Sequence, residues 1–304
     1  MSGRHASPGR RAGPLLAVAV VAALAVGPAY RSVTSSSPVA GRWDRAAAAA
    51  APAGSGSAAS GVAASGAASG AASSGGSASG GSGGAYRVVG LGDSVPAAGA
   101  CGCTSYVTLV GQQVARRRSA GLVVDNLAVG GLTTAQLQDQ LGEPGVAGVV
   151  AEADLVVVTV GANDFDSSLL ATADCRPLDE VPCYRSALDA QRTRLAAVLD
   201  GVRALTAHRD VTVLVTGYWN VFLDGQVGRD QGPDYVTGSD ALTRRENALI
   251  EDVGAGHGAA YVDVYTPFKG SGDLDDTDLL MPDGDHPDAA GHRRIADALL
   301  AAVT

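Results

Sequence analysis

Lysine occurs once in this sequence, at Lys269, among 22 basic residues. Aromatic residues make up 4% of the 304 positions, with only four cysteines and five histidines. With one lysine, and that one preceded by Phe268 rather than by a G-x-x-x-x-G run, the chain has no Walker-type phosphate loop. Six arginines (Arg4, Arg10, Arg11, Arg31, Arg42, Arg45) and one acid, Asp44, precede residue 86, which leaves 16 basic against 30 acidic residues over 86–304. A stretch that acidic lacks the basic surface that holds DNA, RNA or an anionic membrane face, so no nucleic-acid partner is expected. The cysteines show neither a second Cys-x-x-Cys spacing nor a neighbouring histidine in sequence, so no metal site is expected from them.

What is present divides the chain into three. Residues 1–30 read as an export signal or a retained N-terminal anchor. Arg4, Arg10 and Arg11 make a positive start, residues 12–29 are uncharged and mostly apolar, and Gly27 and Ala29 are small enough for a signal peptidase. The apolar run is also close to the ~20 residues that span a bilayer, so a membrane tether through 12–29 stays open. Both readings put the rest outside the cytoplasm. Residues 31–85 are nearly all Ala, Gly and Ser, which cannot bury enough apolar surface to fold. As a flexible linker of ~55 residues they would reach roughly 40 Å. Residues 86–304 are long enough for one sizeable core. All four cysteines lie there, and an even count in an exported chain favours disulfides. Cys175 with Cys183 closes a small loop and leaves Cys101 with Cys103 as a tight pair. Cross-pairing between the two loops is the alternative.

Within 86–304, apolar runs alternate with helical periodicity. Strands are expected at 86–91, 122–129, 154–160, 211–216 and 259–264, and helices at 106–118, 133–141, 184–207, 240–254 and 287–303. The run Leu155-Val156-Val157-Val158 suits a strand covered on both faces. This alternation predicts an α/β fold: a five-stranded parallel sheet with right-handed crossovers and helices on both faces. Ligands in such folds bind beyond the carboxyl ends of the strands.

Four polar motifs fall at those ends: Gly92-Asp93-Ser94, Asn126-Leu127-Ala128-Val129-Gly130-Gly131, Gly161-Ala162-Asn163-Asp164 and Asp283-Gly284-Asp285-His286. A serine hydroxyl needs a base to become a nucleophile. His286 can serve, and Asp283, three residues earlier, can orient the imidazole from the same loop. In order and placement these motifs resemble the SGNH (GDSL-type) hydrolase family, over essentially all of 86–304. The resemblance implies a flavodoxin-like three-layer α/β/α sandwich and a serine esterase or lipase that works through an acyl-enzyme, without metal or cofactor. It assigns Ser94, His286 and Asp283 as the triad. It assigns the backbone N–H of Ser94, the backbone N–H of a glycine after the second strand and the side-chain amide of Asn163 as the oxyanion hole. The family spacing selects Gly131, with Gly130 the alternative. Two departures stand out: the glycine after the serine motif falls late, at Gly99, and Asp285 stands before His286 where an apolar residue is usual.

Other features read as ordinary structure. His208 and His257 lie at helix ends, and His292 lies within the last helix. Asp273, Asp275, Asp276 and Asp278 form an acidic stretch without the EF-hand pattern, expected to be a solvated loop. Tyr218, Trp219, Val221, Phe222 and Leu223 follow the fourth strand and either line an acyl pocket or pack into the core, with a slight lean towards acyl-chain substrates. Gly90-x-Gly92 lacks the third glycine of a dinucleotide fingerprint, since Val95 stands there. The expected partner is a small-molecule or lipid ester, met by a monomer. The alternatives are a deacetylase of acetylated polysaccharide and a non-catalytic binding module on the same fold.

Overall fold

The computed structural model describes residues 84–303. The expected export segment at 1–30 and nearly all of the Ala/Gly/Ser tract at 31–85 lie outside the described residues. No helix among the described residues is long and apolar enough to cross a membrane.

Five strands, β1 (Tyr86–Gly92), β2 (Leu122–Asn126), β3 (Leu155–Thr159), β4 (Thr212–Thr216) and β5 (Ala260–Val262), form one parallel sheet in the order β2-β1-β3-β4-β5. Nine α-helices are described: α1 (Ser94–Ala97), α2 (Tyr106–Arg118), α3 (Thr134–Leu141), α4 (Pro144–Ala151), α5 (Arg185–Thr206), α6 (Gly225–Asp230), α7 (Pro233–Gly256), α8 (Tyr265–Lys269) and α9 (Ala289–Ala302). α2 packs on α9 in one layer, and α3, α4, α5 and α7 pack in sequence in the other. This is the expected three-layer α/β/α sandwich. β3 is central and all five of its residues are buried, which is why its sequence is uniformly apolar rather than alternating.

The ends of elements differ from the sequence expectation for local reasons. β2 stops at Asn126, where the chain leaves the sheet to form a turn of the site. α7 begins at Pro233, seven residues before the expected start, because proline is tolerated at the first helical position, where no N–H is needed. α4 and α6 carry no amphipathic period to announce them. α4 is small and apolar throughout, and α6 holds Gly225 and Gly228 within six residues.

β1 and β3 approach so closely at their carboxyl ends that a side chain at Gly92 would collide with the Thr159 carbonyl, and Gly92 has φ +131°. Only glycine fits there. Beside it, the Tyr106 hydroxyl meets Thr159 Oγ1 at 2.5 Å and Thr159 Oγ1 meets Thr216 Oγ1 at 2.6 Å, a buried polar chain across β3 and β4.

Two sequence expectations change here, and one choice between alternatives is made. The acidic stretch is not uniformly solvated. Asp276 is buried, 3.8 Å from the amine of Lys269, which also binds Asp224 at 2.8 Å. The chain's one lysine is thus buried between two aspartates. The cysteines pair locally, Cys175 with Cys183 and Cys101 with Cys103, with Cα–Cα distances of 4.7 and 5.1 Å. A histidine does stand beside the second pair: His292 lies within 4.8 Å of both sulfurs. It is buried and stacks on Tyr106 with ring centroids 5.7 Å apart. Its Nδ1 takes the Tyr106 N–H at 3.4 Å, and burial pushes its pKa down to about 4. The contact spans nearly the whole domain, so sequence spacing could not reveal it.

Burial, with the neighbouring Asp224, pushes the Asp276 carboxyl from 3.8 up to about 7. The folded protein therefore keeps a proton that the unfolded chain releases. Asp276 supports stability below about pH 4, and that support is lost as pH rises towards 7. Asp276→Asn should flatten this fall. Thermal unfolding at pH 4.5 and 7.5 should show a smaller difference in Tm than in the wild type, by a few °C at ~2–4 °C per kcal/mol. An unchanged difference would mean that Asp276 is already ionised.

Candidate active site

Ser94 is the first residue of α1, where β1 ends. Asp93 caps that helix: Oδ1 takes the Val95 N–H at 2.9 Å. Its other oxygen, Oδ2, accepts the Tyr218 hydroxyl at 2.5 Å. Asp93 is buried, and burial pushes its pKa up to about 6 in spite of these bonds. The far end of α1 is tied down by two donors to the Pro96 carbonyl, Ser105 Oγ and Asn126 Nδ2, each at 2.7 Å. Asn126 therefore does structural work for the nucleophile turn. Ser94 itself is half-buried, and its hydroxyl and N–H make no hydrogen bond among the described residues.

The turn after β2 follows β1 closely, with Leu127 N–H on Gly90 O at 2.8 Å and Val129 N–H on Gly92 O at 2.9 Å. A Cβ at Gly130 would lie 3.8 Å from that of Ser94. Gly131 has φ +79° and open space around it. Gly130, the alternative to the spacing-selected Gly131, is thus the glycine seen against the serine, and Gly131 makes the left-handed turn. Neither N–H is engaged among the described residues.

The turn after β3 is fastened to this one. Asn163 Nδ2 donates to the Leu132 carbonyl at 3.1 Å, and Asp164 Oδ1 takes the Thr134 N–H at 3.0 Å. Asn163 keeps its second amide hydrogen free. Beneath the turn, Gly161 (φ +144°) leaves no room for a side chain, because Gln191 and Glu246 fill the space. Glu246 is fully buried, bonded by Gln191 Nε2 at 2.8 Å, and burial holds its carboxyl well above the ordinary range. Ser94 and Asn163 line one cleft of about 230 Å³, with Phe165, Phe222 and Asp285 in its walls.

The fourth motif supplies an ion-pair geometry. His286 Nδ1 lies 2.9 Å from Asp283 Oδ2 and 3.8 Å from Asp285 Oδ2. Asp283 Oδ1 also takes the N–H groups of Asp285 and His286, at 3.0 and 3.1 Å. Partial burial alone would raise the Asp283 pKa, but these N–H bonds and the imidazole outweigh it and hold the carboxyl below its ordinary value. Asp285 shifts the other way, raised by burial. The loop is anchored from below: Asp224, the partner of Lys269, donates its N–H to the Gly284 carbonyl at 2.7 Å. No hydrogen bond joins His286 to Ser94 among the described residues, a looseness common in ligand-free sites.

The other candidates sort themselves. Tyr218 and Trp219 are core residues, whereas Val221, Phe222 and Leu223 line the cleft. His257 pairs with Asp200 at 2.7 Å. A larger hollow of about 610 Å³ beside α7 holds none of the four motifs; of its charged groups, Arg244 pairs with Asp240, Arg245 donates to the Asp179 carbonyl, and Lys269 turns to Asp224 outside the lining. Of these candidates, Tyr218 has a role that the sequence did not reveal. Its hydroxyl donates to Asp93 and receives the Ala162 N–H at 3.4 Å, joining the serine turn to the asparagine turn.

Tyr218→Phe should therefore loosen both turns. A hydrogen bond to a charged group contributes ~1.5–3 kcal/mol, and with half of it felt at the reacting centre kcat falls about three- to tenfold with KM little changed. Steady-state kinetics on a short ester reads this directly. Full kcat in the variant would remove Tyr218 from the site.

Comparison with known proteins agrees with this geometry. The model of the GDSL-like lipase/acylhydrolase family matches residues 91–294. Among solved structures, a lipase from a goat rumen metagenome is similar with a TM-score of 0.59 at 19% identity, covering 72% of this chain and 97% of that one. An acetylxylan esterase from Geobacillus stearothermophilus is similar with a TM-score of 0.51 at 19% identity, covering 72% of this chain and 94% of that one. At such identities these likenesses show the fold. No curated protein matched the sequence. The family match spans all five strands' worth of site turns, from the end of β1 to α9, and includes all four motifs; this protein belongs to the GDSL-like lipase/acylhydrolase family of ester-hydrolysing enzymes.

Proposed function

We propose that Ser94, His286 and Asp283 form the catalytic triad of a serine carboxylesterase that is exported from the cytoplasm and acts on short-chain esters. The observation that carries this is the Asp283–His286 contact at 2.9 Å, on a loop that walls the cleft where Ser94 and Asn163 meet. In this reading His286 Nε2 takes the proton of the Ser94 hydroxyl as Oγ bonds to the ester carbon. The tetrahedral oxyanion is met by the free N–H of Ser94, the amide of Asn163 and a glycine N–H. Proximity favours Gly130 for that role, and the family spacing favours Gly131. The imidazolium then gives its proton to the departing alkoxide, leaving an acyl-serine. Water repeats the sequence, activated by the same base, and releases the acid. Asp283 fixes the imidazole tautomer and stabilises the cation.

The cleft volume of about 230 Å³ supports short acyl groups. It is smaller than the ~300–1,000 Å³ of pockets that enclose drug-sized ligands. This turns the slight lean of the sequence away from long acyl chains. Export by residues 1–30, oxidised cysteine pairs and a monomeric enzyme complete the reading. Support for the first two comes from the apolar N-terminal run and from the absence of any cysteine left without a neighbour among the described residues.

A fluorophosphonate probe should label the protein on Ser94 and leave Ser94→Ala unlabelled; equal labelling of the variant would exclude Ser94 as the nucleophile. Asn163→Ala should lower kcat by about 10²–10³, the usual effect of removing one oxyanion donor, with little change in Tm. Asp283→Asn should cost far more activity than Asp285→Asn. If the order is reversed, Asp285 is the orienting carboxylate.

A further inference from the structure

The site as described leaves Asp285 without a task, and its position gives it one. Its carboxylate lines the same cleft as Ser94 and Asn163, while Asp283, two residues earlier, is the partner of the imidazole. Among the described residues that line the cleft, the two ionisable ones are Asp93 and Asp285, and no basic residue stands there. Asp93 is buried and bonded to Tyr218 and Val95. Asp285 is part-exposed and accepts no hydrogen bond among the described residues, so its charge faces whatever enters. The same cleft has apolar walls in Phe165 and Phe222, packed edge to face with centroids 5.8 Å apart.

A carboxylate beside aromatic walls is the chemistry that binds an alkylated ammonium. The charge is met by the carboxylate, and the weakly hydrated methyl groups are met by the rings. The same carboxylate repels an anionic ester. The surrounding domain reinforces the preference, since 30 acidic residues against 16 basic ones over 86–304 draw cations towards the surface. The side of the ester follows from the chemistry. The imidazole of His286 must face the alcohol oxygen to protonate it as it leaves, and Asp285, the preceding residue of the chain, lines the cleft on that loop's side.

We propose that Asp285 makes this cleft selective for esters whose alcohol part carries a positive charge, such as a quaternary ammonium, near the scissile bond; the inference rests on the esterase reading above.

The test compares kcat/KM for the acetate esters of choline and of its uncharged isostere 3,3-dimethylbutanol, with p-nitrophenyl acetate alongside, on the full chain. The choline ester should be favoured at least about tenfold, the equivalent of about 1.4 kcal/mol, and the preference should shrink with added salt. Asp285→Asn should bring the ratio to about one. A wild-type ratio near one overturns the inference, as does a ratio that survives the substitution. Equal losses on both esters in Asp285→Asn would also overturn it, because the carboxylate would then serve His286 and not the substrate. A stronger preference for an acetylated sugar, lost in Asp285→Asn, would make the carboxylate a hydroxyl acceptor and again overturn the cationic class. A second measurement needs no variant: tetramethylammonium should inhibit hydrolysis of p-nitrophenyl acetate where tert-butanol at the same concentration does not. Hydrolysis of p-nitrophenyl acetate without any charge preference defeats this inference and leaves the esterase reading standing, whereas no hydrolysis of any ester defeats both.

Discussion

The close pairing of β1 with β3 at Gly92 and Thr159 is the constraint on which the site depends. Parallel strands that end together deliver their following turns to one place. Here the register Gly92↔Thr159 sets the serine turn beside the asparagine turn. The sheet order changes direction at β1, with β2 on one side and β3 on the other. The crossover helices leave to opposite faces at such a point, so a crevice opens between them. The serine could not stand so close to Asn163 with any larger residue at Gly92, because the Thr159 carbonyl occupies the place of a Cβ. Gly161 repeats the device one turn later, with Gln191 and Glu246 filling the space beneath it.

Buried acids are the second feature of this structure. Asp93, Glu246 and Asp276 are each fully or almost fully out of water, and burial raises the pKa of all three. Each is placed where it can hold a turn of the site. Asp93 caps α1, Glu246 underlies Gly161, and Asp276 shares Lys269 with Asp224, whose N–H secures Gly284. A polar group inside a protein costs free energy unless bonded, but a bonded one, as Asp93 and Glu246 are, fixes direction as an apolar contact cannot; the Asp276 carboxyl makes no hydrogen bond among the described residues and has only the ion-pair contact with Lys269. The acids that remain exposed, Asp283 and in part Asp285, are those left to interact with the imidazole and the contents of the cleft.

Some of this was legible in the sequence because its cause is local. The apolar run of β3 and the three-residue spacing of Asp283 and His286 are set by neighbours along the chain. The four motifs fell at strand ends because a parallel α/β sheet puts its functional turns there. What was illegible is long-range. Tyr218 and Asp93 are 125 residues apart, and nothing near Tyr218 tells a core tyrosine from one that ties two catalytic turns. Lys269 with Asp276, and His292 with Cys101 and Cys103, met only when the chain folded. Between Gly130 and Gly131, spacing could rank two adjacent glycines but not show which faces the serine. α4 escaped notice because a short, wholly apolar helix has no period to read.

The geometry makes one demand that a single measurement can meet or refuse: the groups around Ser94 must converge on an oxyanion. A crystal structure of the protein reacted with a small alkylphosphonate would show it. The phosphorus should be bonded to Ser94 Oγ, with one phosphonyl oxygen at about 2.7–3.1 Å from the Ser94 N–H, a glycine N–H at Gly130 or Gly131, and Asn163 Nδ2, and with His286 Nε2 within hydrogen-bond distance of Oγ or a second phosphonyl oxygen. A phosphonyl oxygen turned into solvent, with Asn163 still bonded only to Leu132 and His286 remote from the adduct, would contradict the assignment of this cleft as the catalytic centre.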